Sequence, residues 1–279
     1  MGHFSKALEK MDSGNGTNHE GMYPADNTSL ASYKSKGLSG PRNTILDKER
    51  LVALSDPWSY CSEQFRSIKT SILYPGHGRD IRTVLVTSAV PGEGKSFVTS
   101  NIAATIASSM DNSVLVIDSD MRRPTISDIF ALPPEASGLD LYLNHDCSLE
   151  DVIYRTQIEK LSVIPAGNIV DNPSELITSS TMTHMLAEVR SRYSDRYVII
   201  DSPPPLFAPE TIAVSKHVDG IIIVIRNDRT LKKSVSDMLD KLDRSKVIGV
   251  VLNRYNPTFV KDPGYSSYYA KGKHARTLK

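Results

Sequence analysis

Six short apolar runs are the feature of this sequence that most constrains its fold. They lie at residues 83–88, 113–120, 161–167, 196–204, 220–226 and 247–253. Each run has a core of Val, Ile or Leu without the strict polar–apolar alternation of a strand that has one solvent-facing side. Continuous apolar runs separated by helical segments are typical of parallel strands buried on both faces. We therefore predict an α/β protein with a mostly parallel central sheet flanked by helices.

The same pattern divides the chain into three parts. Residues 1–50 are rich in Gly, Ser, Asn and Thr, so they cannot bury enough apolar surface to offset the entropy of ordering them. Residues 51–254 contain the six runs and form the predicted domain, which begins with an amphipathic helix over residues 60–73. Residues 255–279 are polar, basic and tyrosine-bearing. We predict one domain with a flexible arm at each end.

Composition argues against several classes of function. The formal net charge of +1 provides no basic field, so we expect no nucleic-acid partner. Cys61 and Cys147 are far apart and form no C-x-x-C pair, which argues against a disulfide framework, a zinc site and an iron–sulfur site. No apolar run approaches the roughly 18 residues that span a bilayer. A soluble protein in a reducing, cytoplasmic setting fits these observations.

A glycine-rich segment lies between the first predicted strand and a predicted helix. Residues 89–96 read AVPGEGKS, which matches the phosphate-binding P-loop signature except that Ala89 replaces its first glycine. Glycines let backbone N–H groups point at phosphate oxygens, and the helix adds the positive end of its dipole. We expect Lys95 to contact the β- and γ-phosphates of ATP and Ser96 to bind Mg²⁺. The alternative is a glycine-rich turn with an incidental lysine. The nucleotide-binding residues predicted in this segment are Pro91, Gly92, Glu93, Gly94, Lys95, Ser96 and Phe97.

Carboxylates follow two of the apolar runs where predicted strands end. Asp118 and Asp120 close the run VLVIDSD, and Asp201 closes the run YVIID. Ligands of open parallel sheets bind outside the carboxyl ends of the strands, so these groups are expected near the P-loop. With Ser96 they can hold Mg²⁺, and one of them can accept a proton from an attacking hydroxyl. Each aspartate alone is also typical of a solvated strand end or a helix cap.

Two arginines, Arg122 and Arg123, follow the second aspartate directly. They can neutralise phosphate charge or hold an acidic partner segment. A surface salt bridge explains them equally well from the sequence.

These motifs together resemble those of the bacterial tyrosine kinases that regulate capsular and exopolysaccharide synthesis or export. That family has a P-loop ATPase fold related to the Min and Par ATPases. Its Walker A loop ends in P-G-E-G-K-S, a second motif ends in D-x-D with arginines following, and its Walker B strand ends in D-x-P-P. The matching segments here are residues 89–96, 117–124 and 198–204. Alanine in place of the first P-loop glycine is normal in that family.

The resemblance implies a protein-tyrosine autokinase that uses ATP and Mg²⁺. Lys95 would then serve in catalysis and Asp118 would deprotonate the tyrosine hydroxyl. Asp120 and Asp201 resemble carboxylates of the metal site. Asn253 lies where related P-loop ATPases read the adenine edge, although asparagine at a strand end is also a common turn residue.

In the resembled family, a C-terminal tyrosine cluster is phosphorylated in trans by a neighbouring subunit. The tyrosines that correspond to it here are Tyr255, Tyr265, Tyr268 and Tyr269. Tyrosines that merely occupy a disordered tail are the alternative, and phosphorylation of the N-terminal Tyr23 or Tyr33 would favour the other arm as substrate.

The family also carries an E-x-x-R-x-x-R helix motif that holds ring-like homo-oligomers together. Glu63, Arg66 and Lys69 match its spacing, with lysine in the last place, which keeps the charge but loses bidentate geometry. The alternative is an ordinary charged helix face with an i,i+3 ion pair.

The resemblance further implies partners, and two other functions remain as alternatives. It implies a transmembrane polysaccharide chain-length regulator as activator, a cognate tyrosine phosphatase, and a place at the inner face of the cell membrane through the activator. One rival is a Min/Par-type switch ATPase, whose loop resembles K-G-G-x-G-K-[ST]; Val90 occupies the place of its early lysine. The other rival is a non-catalytic nucleotide-sensing scaffold of polysaccharide assembly.

Overall fold

The computed structural model describes residues 46–76, 78–192, 196–227 and 229–255. The strands in this part of the chain are β1 (Thr83–Ser88), β2 (Ser113–Asp118), β3 (Tyr154–Arg155), β4 (Leu161–Ile164), β5 (Arg196–Asp201), β6 (Gly220–Arg226) and β7 (Val247–Asn253). They form one seven-stranded sheet in the order β3-β4-β2-β5-β1-β6-β7. All neighbouring strands are parallel except β3 and β4, which are antiparallel.

Helices connect the strands and cover both faces of the sheet. They are α1 (Val52–Ser55), α2 (Tyr60–Leu73), α3 (Lys95–Ala107), α4 (Ile126–Ile129), α5 (Leu139–Leu143), α6 (Leu149–Val152), α7 (Pro173–Ile177), α8 (Ser180–Arg192), α9 (Glu210–Ser215) and α10 (Lys232–Leu239). Side chains of α1 to α4 pack in one hydrophobic core, and side chains of α5 to α10 pack in a second. The sheet separates these two cores, so the domain has three layers.

The central strands are buried because each contributes alternate side chains to both cores. In β1, Val84 and Val86 lie in the core beneath α3, whereas Leu85 lies in the opposite core. This explains why the strand sequence is apolar throughout instead of alternating. The helix α3 is likewise buried around most of its circumference, as expected for a helix enclosed by other elements.

Two further segments fold as their sequences predict. The helix predicted over residues 60–73 is α2, which begins at an N-cap where the Ser59 hydroxyl accepts a hydrogen bond from Ser62 N at 3.2 Å. Phe65 and Ile72 are its buried apolar residues. The helix α7 begins with Pro173, as its sequence favours, because the N–H group that proline lacks has no hydrogen-bond partner in the first turn of a helix.

The structure corrects the strand predictions in two ways. The runs 113–120, 161–167 and 196–204 are too long, because β2, β4 and β5 end at Asp118, Ile164 and Asp201, where the chain turns to form loops. The strand β3 was not predicted, because its two residues, Tyr154 and Arg155, form no apolar run and lie at the edge of the sheet, where they pair only with β4. The predicted α/β class and the mostly parallel sheet are confirmed.

The described residues also bear on three simpler expectations. Within the described residues, neither Cys61 nor Cys147 forms a disulfide. Within the described ranges, no helix is both long enough and apolar enough to cross a bilayer. The division into arms and domain stays a prediction, since most of residues 1–50 and 255–279 lie outside the described residues.

Candidate active site

The sheet brings the predicted site together at the carboxyl ends of its central strands. β1 lies between β5 and β6, and it leads through residues 89–94 into α3. β5 in turn pairs with β2, and Asp118 and Asp201 are directly opposite each other in the parallel register. The P-loop, Asp118 and Asp201 therefore lie on three adjacent strands, as expected for a ligand site of a parallel sheet.

The glycines of the P-loop adopt the backbone conformation that the sequence predicts for them. Gly92 and Gly94 have φ of 81° and 92°, values that glycine adopts without a Cβ penalty. Gly94 is the N-cap of α3, so the helix N-terminus opens directly onto the loop. Backbone N–H groups at such an N-terminus form a natural binding site for an anion.

Lys95 is a buried cation whose donors are not satisfied by the described protein. Its side chain is only 9% exposed, and its ammonium lies 3.9 Å from Asp120 Oδ2. No hydrogen bond of the Lys95 ammonium is present among the described residues, although an ammonium carries three donors. A buried ammonium at the start of a P-loop helix fits a phosphate group, which supplies both charge and acceptors.

Ser96 is held by the carboxylate that ends β5. Its hydroxyl donates to Asp201 Oδ2 at 2.5 Å, and the Thr99 hydroxyl donates to Asp201 Oδ1 at 3.0 Å. Asp201 is fully buried, and this burial raises its pKa to about 6 in spite of the nearby Lys95 and the two hydroxyl donors. Thr99 was missed by the sequence analysis, although its i+3 spacing from Ser96 puts both hydroxyls on one helix face.

Asp118 is fully buried and accepts three backbone hydrogen bonds. Asp120 N donates to its Oδ1 at 3.0 Å, and Thr125 N and Ile126 N donate to its Oδ2 at 3.2 Å. Burial raises the pKa of Asp118 well above the usual aspartate range, and the charge of Asp201 raises it further. The backbone donors act in the opposite direction but do not cancel the effect of burial.

Asp120 faces the P-loop lysine at the surface of the site. It is 6% exposed, and its Oδ1 accepts a hydrogen bond from Arg123 N at 3.1 Å. Burial raises the pKa of Asp120, while the charge of Lys95 lowers it.

No three His, Cys, Asp or Glu side chains of the described ranges are close enough together to enclose a metal ion. Mg²⁺ in phosphoryl-transfer sites takes few direct protein ligands, since phosphate oxygens and waters fill most positions. A serine hydroxyl backed by a buried carboxylate fits that kind of site.

The structure places one of the two arginines, Arg122, in a salt bridge. Arg122 Nε lies 3.0 Å from Glu210 Oε1, and Ser174 donates to Glu210 Oε2 at 2.7 Å. Glu210 is only 2% exposed, so Arg122 takes part in a partly buried ion pair between loops. Arg123 is exposed, and its guanidinium has no hydrogen-bond or ion-pair partner in the described part of the chain.

Asn253 lies at the site, but its side-chain amide forms a hydrogen bond within the protein. Its Nδ2 donates to Glu93 O at 2.8 Å, and a Cβ on Gly94 would lie well inside 3.0 Å of the same amide nitrogen. The expected contact with adenine stays a prediction, because this amide already binds the P-loop.

Glu93 points into the protein instead of into the nucleotide site. It is 1% exposed, and its carboxylate accepts hydrogen bonds from Val90 N at 3.0 Å, from Arg226 N at 3.3 Å and from the Thr230 hydroxyl. The P-loop is thereby attached to the end of β6. The sequence could not indicate this role, because Thr230 lies in a distant loop without any motif.

The remaining predicted residues lie away from this cluster or outside the described ranges. On α2, Arg66 forms an i,i+3 ion pair with Glu63, and Lys69 has no such partner within the described chain. Phe97 lies in the first turn of α3, packs edge-on against Phe65 and lines a groove that also includes Tyr255. Pro91 is exposed in the P-loop. The predicted phosphate acceptors Tyr265, Tyr268 and Tyr269 lie outside the described residues, as do Tyr23 and Tyr33.

Known proteins with similar sequences decide the family. A family model described as an AAA domain matches residues 81–249. Tyrosine-protein kinase YwqD of Bacillus subtilis is 33% identical over 226 residues, which cover 80% of this chain and 91% of YwqD. This chain belongs to the bacterial tyrosine-protein kinases. The predicted family is thus confirmed.

Other bacterial tyrosine kinases match over a similar segment. CpsD of Streptococcus agalactiae is 28% identical over 219 residues, with 78% of this chain and 92% of CpsD covered. The kinase ptk of Acinetobacter johnsonii is 32% identical over 217 residues, which are 76% of this chain but only 29% of ptk. The same kinase segment thus also forms part of a much longer chain.

Solved structures agree with this family and with the fold. The chimerical protein CapA2B2 matches with a TM-score of 0.68 at 32% identity, covering 76% of this chain and 92% of that one. The kinase domain of Escherichia coli tyrosine kinase ETK matches with a TM-score of 0.67 at 30% identity, covering 73% and 79%. The septum site-determining protein MinD of Pyrococcus horikoshii, complexed with Mg-ADP, matches with a TM-score of 0.53 at 23% identity, covering 64% and 72%. The MinD match shows a shared fold only. Proteins of this P-loop ATPase fold bind nucleotide, typically with Mg²⁺.

Proposed function

We propose that this kinase transfers the γ-phosphoryl group of ATP to tyrosines in the C-terminal tail of a second copy of the chain. One observation carries the proposal: a buried lysine, with no hydrogen-bond acceptor among the residues that the structure describes, lies beside strand-end carboxylates at the mouth of a P-loop. Membership of the bacterial tyrosine kinases supports tyrosine as the acceptor.

The residues of the site suit the separate tasks of phosphoryl transfer. The tyrosine oxygen forms a bond to the γ-phosphorus, the bond to the ADP oxygen breaks, and the tyrosine proton passes to a carboxylate. We assign that carboxylate to Asp118, which ends β2 directly opposite Asp201 and matches the first aspartate of the family's D-x-D motif. Lys95 stabilises the charge on the β- and γ-phosphate oxygens from its buried position.

Mg²⁺ fits the same mouth, on the side of Asp201. Ser96 would hold the ion, with Asp201 fixing the serine hydroxyl and Asp120 within reach of the same phosphates. Bound Mg²⁺ would neutralise charge that develops on the phosphates.

The charge of the tail suits both binding and release. Residues 261–279 contain five Lys or Arg and one Asp, a formal charge of +4, and the site beside the P-loop contains three aspartates. Each phosphotyrosine adds about −1.5 to −2, so three would change the tail by about −5 and reverse its sign. Phosphorylation would therefore weaken the attraction between the tail and the acidic site, and with it the homo-oligomer.

Each of the two rival functions differs from this proposal in the acceptor of the phosphate. A Min/Par-type ATPase would transfer phosphate only to water, and a nucleotide-sensing scaffold would transfer none. Val90 in place of the Min/Par lysine disfavours the first, and the intact set of Lys95, Ser96 and aspartates disfavours the second.

We further propose that the kinase acts at the inner face of the membrane in capsular or exopolysaccharide synthesis, with a separate transmembrane activator and a cognate phosphatase. A relative whose kinase segment is 29% of a longer chain shows that further parts can be joined to this segment in one protein. Glu63, Arg66 and Lys69 are the proposed contacts of a ring-like oligomer.

Two variants test the proposal with purified full chain and labelled ATP. Lys95→Met removes the buried charge, so phosphotyrosine on immunoblots should fall by at least about a hundredfold, within the range for loss of a transition-state charge contact. Lys241→Met, at an exposed lysine, is the matched control and should keep full activity. Wild-type phosphotyrosine in Lys95→Met would rule out this loop as the donor site.

Phenylalanine at Tyr265, Tyr268 and Tyr269 keeps the rings and removes the acceptor oxygens. This triple variant should bind ATP normally, lose most phosphotyrosine and stay assembled after ATP is added. Phosphate found mainly on Tyr23 or Tyr33 by mass spectrometry would contradict the tail as substrate.

A further inference from the structure

Three loops at the carboxyl edge of the sheet are held together by the buried side chain of Glu210. The loop after β2 contributes Arg122, the loop after β4 leads to Ser174, and Glu210 itself ends the loop after β5. α7 and α9, which follow two of these loops, pack against each other. The loops after β2, β4 and β5 are therefore held near one another at the mouth of the site.

Two large apolar side chains on these loops face solvent. Ile169 is 75% exposed and lies five residues before Ser174, while Phe207 is 60% exposed and lies three residues before Glu210. We refer to the pair as the Ile169–Phe207 surface. β4 and β5 flank β2, so the loops that carry this surface border the strand end with Asp118 and Asp120. Single exposed apolar residues are common, but two on loops fastened together at an active-site mouth indicate a binding surface.

The P-loop is anchored on the other side of the site. Glu93 and Asn253 attach the P-loop to the ends of β6 and β7, on the other side of β1. The loops after β2, β4 and β5 border the site on the side of β1 away from these attachments.

The charges around the surface favour a basic occupant. Asp171 and Glu175 are exposed on the loop and helix that follow β4, and Asp120 lies at the base of the mouth. Arg122 is neutralised by Glu210, which leaves Arg123 as the exposed cation on these loops. The tail segment 261–279, with its formal charge of +4 and three tyrosines, complements this surface in both charge and aromatic character.

We propose that the Ile169–Phe207 surface binds the tyrosine segment of the tail of a second copy of this chain. Phe207 packs against the ring of a tail tyrosine, and Asp171 and Glu175 attract the basic residues around it. The inference rests on the proposed function, because it names the surface that presents the acceptor to the site.

A binding measurement tests the surface independently of catalysis. The probe is a fluorescein-labelled peptide of residues 261–279, titrated with full chain in the presence of a non-hydrolysable ATP analogue and read by fluorescence anisotropy. Phe207→Ser should weaken peptide binding about tenfold, the effect expected for losing one buried aromatic contact. Ile169→Ser should weaken it by a smaller factor. Met110→Ser is the matched control, since Met110 is 90% exposed before β2, at the opposite edge of the sheet, and should bind the peptide as wild type does.

The outcomes separate this inference from the proposed function. Unchanged peptide affinity in both Phe207→Ser and Ile169→Ser would overturn the surface. So would an equal loss of affinity for the nucleotide analogue, since that would indicate general damage to the site. Wild-type protein that binds the peptide through Phe207 but carries its phosphate mainly on Tyr23 or Tyr33 would refute the tail as acceptor and leave the surface standing.

Discussion

The contact between Gly94 and Asn253 allows a quantitative test of how the P-loop is held. Gly94 and Gly92 both have positive φ, so alanine at either position adds about 1–2 kcal/mol of backbone strain. The lower chain entropy of an unfolded alanine variant offsets about 0.4–1 kcal/mol of it. A Cβ on Gly92 would meet no atom within 4 Å, whereas a Cβ on Gly94 would collide with the Asn253 amide.

The collision gives the two glycine variants different stabilities. Gly94→Ala must displace Asn253 and break its 2.8 Å hydrogen bond to Glu93 O, which costs about 1 kcal/mol more. We expect Gly92→Ala to lose about 1 kcal/mol and Gly94→Ala about 2 kcal/mol, from the strain and hydrogen-bond terms together. In a domain of 150–250 residues, each kcal/mol lowers the melting temperature by about 2–4 °C.

The assay is thermal unfolding of nucleotide-free protein, followed by calorimetry. Asn253→Ala alone should cost about 1 kcal/mol, since it breaks the same hydrogen bond. In the double variant of Gly94 and Asn253 this bond is lost only once, so its destabilisation should be about 1 kcal/mol less than the sum of the single variants. Equal effects of the two glycine variants, or strict additivity with Asn253→Ala, would refute the reasoning.

Three other predictions concern the carboxylates and the helix motif. Asp118→Asn should lower the rate of phosphotyrosine formation more than the affinity for nucleotide, whereas Asp120→Asn should weaken both; full activity in Asp118→Asn would disprove its role as base. Asp201 has its folded pKa raised to about 6, so its protonation adds stability that is complete below about pH 4 and is lost as the pH rises through 6. In metal-free buffer this contribution should fall by about 1 kcal/mol between pH 5 and 7.5, and urea titrations of Asp201→Asn should lack that difference. Alanine at both Glu63 and Arg66 should yield monomers in light scattering, and an unchanged mass over a concentration series would leave the pair as an ordinary i,i+3 ion pair.

Local sequence was sufficient for the fold class and for the centre of the site. Apolar runs that feed both cores, such as β1, can be recognised because a strand buried on both faces has no polar alternation. The P-loop was predictable for a similar reason, since Gly92, Gly94 and Lys95 are close in sequence and their roles follow from the strand before them and the helix after them. The ends of the predicted strands then indicated that Asp118 and Asp201 lie near the P-loop, because parallel strands end at the same edge of the sheet.

Only the tertiary structure decided how these residues are supported, because each supporting contact joins residues distant in the chain. Glu93 was predicted to bind nucleotide, yet its carboxylate is buried against the backbone of Arg226. Arg122 could serve a phosphate or a salt bridge, and the choice depends on Glu210, which is 88 residues away. The raised pKa of Asp118 likewise comes from burial and from a facing carboxylate on another strand. Desolvation and pairing depend on which side chains the fold brings together, so a local motif can indicate candidate reacting groups but not their environment.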